Sequence, residues 1–214
     1  EVRELNAWYQ HELYELGVDV RTECEATPDA IVALKPDAVV LAVGSNAVMP
    51  DVEGIDHPKV MGCIEALTNE GRVGKRAVVI GGGLVGCELS LDLINKGHDV
   101  TIVEALPDIL SAGLPVPLPN SMYLRDAFAQ AEVPILTETR LVSVTDAGAV
   151  VGGPGGTRTL AADTVVIAVG FQSRESMAQD LKGRGFAVFE VGDGRKVGNI
   201  LTSIWDAYEV AHSL

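Results

Sequence analysis

The chain is poor in cysteine, in aromatic residues and in positive charge. Its 214 residues include three cysteines, Cys24, Cys63 and Cys87, and no Cys-x-x-Cys pair. That spacing argues against a disulfide framework and against a zinc or iron–sulfur site. A reducing, cytoplasmic setting is the default expectation. Lys and Arg total 16 against 30 Asp and Glu, a formal net charge of −14. Such a chain is expected to avoid nucleic acid and acidic membrane faces. No apolar run approaches the ~18–20 residues that span a bilayer. The opening EVRELNAWYQ is acidic and amphipathic, unlike a secretion signal, and lacks an initiator Met, so a processed or cut chain is expected. His11, His57, His98 and His212 are scattered without metal-ligand spacing. Neither a Ser-His-Asp arrangement nor a nucleophile elbow is readable.

What the chain has in quantity is apolar residues (47%) and glycine (23 residues). Continuous apolar runs suit strands buried on both faces of a parallel sheet. Val2, Leu5, Tyr9, Leu13 and Leu16 recur at helical spacing, and Gly17 ends that helix. VDVRTE reads as a short strand. Thr27 caps a short helix with Pro28 at its first position. AVVLAV is a strand, and residues 45–76, punctuated by Pro50, Gly54, Pro58 and Gly71, read as a connector with little regular structure. RAVVIGGGLVGCELSLDLINKGHDVTIVEA then reads as strand, glycine turn, helix and strand, a βαβ unit of about the expected ~30 residues. A helix follows over 119–131, then the strand VPILTET and a β-meander over 141–159 around GGPGG. DTVVIAVG is a buried strand, 173–181 a short helix, FAVFEVGD a strand and 200–214 a closing helix.

Gly81, Gly83 and Gly86 satisfy Gly-x-Gly-x-x-Gly between an apolar strand and a helix. In that context the first glycine permits the tight turn, the second lets a pyrophosphate approach, and the third lets helix pack on strand. The turn and first helical residues, Gly81, Gly82, Gly83, Leu84, Val85 and Gly86, are therefore the candidate phosphate cradle, with helix N–H groups and dipole favouring the anion. A purely structural glycine turn is the competing reading. Glu104 ends the second strand at close to the ~20-residue spacing of the acid that binds the ribose hydroxyls. A 2′-phosphate beside it would set two negative charges ~4 Å apart, at a cost on the order of 4 kcal/mol for an effective dielectric of about 20. No Lys or Arg lies between Lys96 and Arg125 to offset this, so NAD(H) is expected over NADP(H). Glu88, just inside the helix, either complements the helix dipole or reaches the nicotinamide end of the cofactor.

One stretch is written twice. DAVVLAVG ends at Gly44 and DTVVIAVG at Gly170, with six of eight positions identical. The interval from Gly81 to Gly170, counted back from Gly44, falls ahead of residue 1. The expected architecture is α/β: a Rossmann-like NAD(P)-binding domain over 72–186, inserted in the truncated remains of a second dinucleotide-binding domain, 1–68 plus 187–214. In that second domain Gly192 and Asp193 end a strand and a helix begins at Asn199–Ile200. The Asp carboxylate would meet a sugar-like hydroxyl chain and the helix start a phosphate. A turn-forming Asp-Gly pair is the alternative for Asp193.

VVIGGGLVGCE, TVVIAVGF and VGDGRKVGNILTSIWDAYEVA resemble the C-terminal half of the NADH:flavin oxidoreductases of the 2-enoate reductase and 2,4-dienoyl-CoA reductase type. The resemblance runs over nearly the whole chain. It implies an N-terminal barrel with FMN and an iron–sulfur cluster, followed by FAD-type and NAD(H)-binding domains. Hydride passes from NADH to FAD, then electrons pass through the cluster to FMN, which reduces an activated C=C bond. It places Gly81, Gly83, Gly86, Glu88, Glu104 and Gly170 in the NADH domain. Gly44, Gly192, Asp193 and Asn199–Ile200 fall in the FAD domain. The barrel, its catalytic acid, the cluster cysteines and the FAD domain's own glycine fingerprint are not in these 214 residues. The expected partners are that barrel and a small-molecule enoate. The chain alone is expected to bind NADH, to hold FAD poorly or not at all, and to be inactive. Sheet edges left open predict dimerisation or a rearranged remnant. Two alternatives stay open: an NAD(H)-binding module without redox activity, and a fragment of another flavoprotein reductase with two dinucleotide domains. Dithiol reductases need a redox cysteine pair that is absent here, and glutamate-synthase small subunits usually favour NADPH, which Glu104 opposes.

Overall fold

The computed structural model of the chain describes residues 2–214. The backbone divides into two compact units, Glu1–Val39 with Met177–Phe189, and Val40–Ser176 with Glu190–Leu214.

In the smaller unit, α1 (Val2–Glu15) stops two residues before Gly17, as the apolar spacing predicts. The short helix α2 (Pro28–Leu34) has the expected start: Thr27 accepts from the Ala30 N–H at 3.3 Å and Pro28 occupies its first turn. The strand expected at VDVRTE does not form; residues 18–26 are exposed loop, and alternation alone does not hold a strand without a partner. Strand β1 (Ala38–Leu41) is the first copy of the repeat. It pairs with β12 (Ala187–Glu190), which follows the one-turn helix α6 (Ala178–Leu181), in a two-stranded sheet.

The larger unit is built on a five-stranded parallel sheet. Its strands are β3 (Val60–Gly62), β4 (Arg76–Ile80), β5 (Asp99–Val103), β6 (Ile135–Leu136) and β10 (Thr164–Ile167), ordered β3-β10-β4-β5-β6. The predicted connector therefore needs correction. It contains β3, the helix α3 (Cys63–Thr68) and, further forward, β2 (Ser45–Ala47). Three residues are too few to show periodicity; β3 is a strand because β10 offers it a ladder, Val60 against Val165 and Gly62 against Ile167.

Helices α4 (Leu84–Asn95) and α5 (Leu118–Gln130) complete the βαβ pattern. Alternate residues of β4 serve opposite faces. Ala77 and Val79 join Leu89, Leu93, Ile102 and Phe128 beneath the helices. Val78 and Ile80 join Val144, Ala149 and Val151 of an antiparallel meander, β7 (Arg140–Thr145), β8 (Gly148–Gly153) and β9 (Gly156–Ala161). Both sheet faces are covered, which is why these strands read as unbroken apolar runs.

The repeat ends alike in both copies. Gly44 (φ +77°) and Gly170 (φ +109°) turn the chain out of a strand, and the segments that follow, β2 and β11 (Phe171–Ser173), pair as an antiparallel ribbon. The closing helix α7 (Ile200–Ser213) starts after a 3₁₀ turn at Gly192–Gly194.

Candidate nucleotide site

The glycine turn sits at the C-terminal end of β4, in the middle of the parallel sheet. Gly81 needs its φ of +112°, and a Cβ there would stand 2.3 Å from Ala168 O, where β10 ends beside it. A Cβ on Gly86 would meet Gly81 O at 1.9 Å, so the third glycine lets α4 close onto the turn. Around Gly83 nothing lies within 4 Å of an added Cβ. The first and third glycines thus accommodate the protein itself, and the second faces open space. Among the described residues no side chain caps α4, whose N-cap is Gly83, so none of them competes for its leading N–H groups. Val85 and Glu88 are exposed on α4, and Leu84 is half-buried.

Glu104 stands one residue beyond β5, 7% exposed, with its carboxylate turned to the glycine turn. Oε2 accepts from Gly82 N–H at 2.6 Å and Oε1 from Leu106 N–H at 2.7 Å. A carboxylate offers about four acceptor positions, so two remain for hydroxyl donors. The acid serves two ends: it braces the turn, and it keeps acceptor capacity at the tip of the strand next to it.

Sequence reasoning missed the wall beside this turn. Residues 105–113 fold back over it: Leu110 N–H donates to Gly82 O at 2.7 Å, and Ile109 packs against Gly82. Cys87 Sγ donates to the same carbonyl at 3.3 Å. Burial, helped by the Glu104 charge, pushes the Cys87 thiol up to about 12, which keeps it a neutral donor. The sequence signal for the wall was slight: Leu106, Ile109 and Leu110 stand in a short stretch broken by Pro107 and ended by Gly113.

The second set of predicted residues also gathers in the larger unit. Asp193 accepts from Ser45 Oγ at 2.8 Å and from Gly198 N–H at 3.0 Å. Gly192 N–H donates to Asp206 on α7 at 3.0 Å. A Cβ on the buried Gly194 would lie 3.4 Å from Gly44 N. The α7 start carries a capping box: Asn199 Oδ1 accepts from Thr202 N–H and Thr202 Oγ1 from Asn199 N–H, each at 2.9 Å. Two of the N–H groups expected to face a phosphate are therefore already satisfied. An open concavity of about 480 Å³ adjoins, lined by Asp193, Gly198, Asn199, Ile200, Ser203 and Ile204 among others. Gly170 stands just ahead of β11, and its carbonyl accepts from Val48 N–H at 2.9 Å. Cys24, Cys63 and Cys87 are all free, and no helix among the described residues is long and apolar enough to cross a membrane.

A parallel sheet with an open glycine turn at its carboxyl edge, where strand order reverses around β4, is the architecture of the dinucleotide-binding oxidoreductases. The chain belongs to the pyridine nucleotide-disulphide oxidoreductase family, whose sequence pattern matches residues 29–193. It is 34% identical over 212 residues to the cinnamate reductase of Clostridium sporogenes, a match covering 99% of this chain and 32% of that protein. It is also 34% identical over 211 residues to an NADH oxidase of Thermoanaerobacter brockii, covering 95% of this chain and 32% of that one. A solved 2-naphthoyl-CoA reductase superposes with a TM-score of 0.87 at 26% identity, over 97% of this chain and 31% of its own. The chain thus spans about a third of the length of these relatives. NAD(H) and FAD are the cofactors of this family of flavoprotein oxidoreductases. The free space at Gly83, the uncapped α4 start and the two spare acceptor positions of Glu104 fit NAD(H).

Proposed function

We propose that this chain is the NADH-binding part of a flavin-dependent oxidoreductase of the enoate or dienoyl reductase type. The observation that carries the reading is the open side of Gly83, set between an uncapped helix start and the Glu104 carboxylate. Gly81–Gly86 hold the pyrophosphate, Glu104 takes the adenosine ribose hydroxyls, and Glu88 lies toward the nicotinamide end. Residues 72–186 form this NAD(H)-binding domain. Residues 1–68, apart from the β3–α3 stretch that joins the NAD(H) sheet and its core, and 187–214 are the part of an FAD-type domain in which Asp193, braced by Ser45, faces the flavin's hydroxyl chain, with Gly44, Gly192, Asn199 and Ile200 around it.

When bound, NADH supplies a hydride to FAD, and a barrel carrying FMN and an iron–sulfur cluster uses the electrons on an activated C=C bond. None of these residues needs to act as an acid or base. Their work is orientation, which contributes ~7–11 kcal/mol to such reactions when reacting atoms are well placed. The family resemblance and the enoate-type relative support the C=C substrate class.

The test has two stages. NADH titration of the 214-residue chain, followed by nicotinamide fluorescence, should saturate at one site per chain. Stopped-flow bleaching of added FAD by bound NADH should then be faster than in free solution. Binding without any acceleration would point to a nucleotide-binding module lacking a redox role. The purified chain is expected to lack a stoichiometric flavin band, and to reduce no enoate unless its barrel is supplied.

A further inference from the structure

The wall over the glycine turn is anchored by one cation from a distant helix. Arg125 on α5 donates from Nη1 and Nη2 to the two Asp108 oxygens at 3.0 and 2.9 Å. Nη2 also donates to Ile109 O at 2.9 Å, and Nε to Ser121 Oγ at 3.3 Å. Ile109 in turn packs on Gly82, whose N–H is held by Glu104. The guanidinium charge reaches the turn: Arg125 and Glu104 act in opposite directions on the buried Cys87 thiol. The pairing holds Asp108 below the ordinary carboxylate range. The sequence supplies no Lys or Arg between Lys96 and Arg125, so Arg125 is the cation that the fold returns to this loop.

We propose that Asp108 and Arg125 form a specificity pair that reserves the site for NADH over NADPH. This rests on the NADH reading of the glycine turn. A 2′-phosphate would come to the Glu104 edge of the site, and a guanidinium is the side chain best matched to phosphate geometry. One stands in the adjoining wall, but Asp108 holds it by a bidentate pair of bonds and Ile109 O by a third. Asp108 therefore acts twice: it offsets the Arg125 charge beside the turn, and it fixes that cation in place. Rejection of a 2′-phosphate is then set by Glu104 together with a masked arginine.

The test is the ratio of Kd values for NADH and NADPH at low salt in the 214-residue chain and in the Asp108→Asn, Arg125→Gln and double variants. A general loss of fold weakens both nucleotides and does not alter the ratio in this pattern; Asp108→Ser serves as a second release variant. Releasing Arg125 by Asp108→Asn should narrow the preference for NADH by about fivefold or more, and added salt should restore it. Arg125→Gln alone should not narrow it, and the double variant should return to the unaltered ratio. An unchanged ratio in both Asp108 variants overturns the proposal. So does a double variant that narrows as far as the single one, because Arg125 then plays no part. If the unaltered chain binds neither dinucleotide, the nucleotide reading fails and this inference with it. If it binds NADH and only the ratio test fails, the reading of the turn stands without the specificity pair.

Discussion

At the scale of single residues the three glycines of the turn are not equivalent, and their differences can be tested. A methyl at Gly86 would be forced to 1.9 Å from Gly81 O, with backbone on both sides of the contact. Gly86→Ala should cost about 2–3 kcal/mol, the upper range for overpacking, and lower the melting midpoint by roughly 5–10 °C. Gly83 has φ −69° and ψ −177°, which any residue adopts, and open space around it. Gly83→Ala should shift the melt little, because the poorer N-cap and the reduced freedom of the unfolded chain oppose each other, yet weaken NADH binding by about tenfold or more, since the new methyl stands where the pyrophosphate must approach. Thermal melts and NADH titrations on the two variants separate a packing glycine from a ligand-facing one. The same distinction was only half legible in the sequence. Gly-x-Gly-x-x-Gly announced three special positions, but which of them touches protein depends on Ala168, brought under the turn by the pairing of β10 with β4.

At the scale of elements, local pattern succeeded where an element carries its own signal, even in four-residue strands such as β1 and β10, and failed where only pairing with a distant strand decides. The βαβ unit, the Thr27 cap and the GGPGG meander were readable because each carries its own signal within a few residues. Strand β3 carries none, and VDVRTE carried one that no neighbour answered. The pairing of β4 with β10 also placed an ion pair that spacing cannot show. Asp163 at the head of β10 accepts from Arg76 N–H at 2.9 Å and from its guanidinium at 2.6 Å. This holds Asp163 at about 2, against an ordinary 3.8. Because the folded value lies below the unfolded one, the ionised pair favours the folded state above about pH 4 and loses that contribution as pH falls toward 2. Both side chains are substantially exposed, so the effect should be modest and should shrink in high salt. An acid titration followed by circular dichroism should show Asp163→Asn losing less stability between pH 4 and 2 than the unaltered chain.

At the scale of the whole molecule the most telling feature is apolar surface on a well-formed helix. Helix α7 is closed by its own capping box, yet Ile200, Leu201, Ile204, Trp205 and Tyr208 are all exposed, Trp205 by 57%. Surface of this kind binds hydrophobic dyes. Addition of anilinonaphthalene sulfonate should give a strong emission rise, reduced when Ile204 and Trp205 are both changed to Gln; an equal rise in that variant would place the dye elsewhere. The sequence by itself determined the α/β class, the glycine turn, the acid at the tip of β5 and the twice-written strand, because each is a local pattern that backbone sterics or burial imposes. Only the tertiary structure decided the different fates of the two copies. One became a central strand buried between β3 and β4, the other a member of a two-stranded pair, although six of eight residues are the same. It alone also set the wall of Ile109, Leu110 and Arg125 over the turn, because what a strand or loop contacts is fixed by distant chain, and one sequence window holds no record of it.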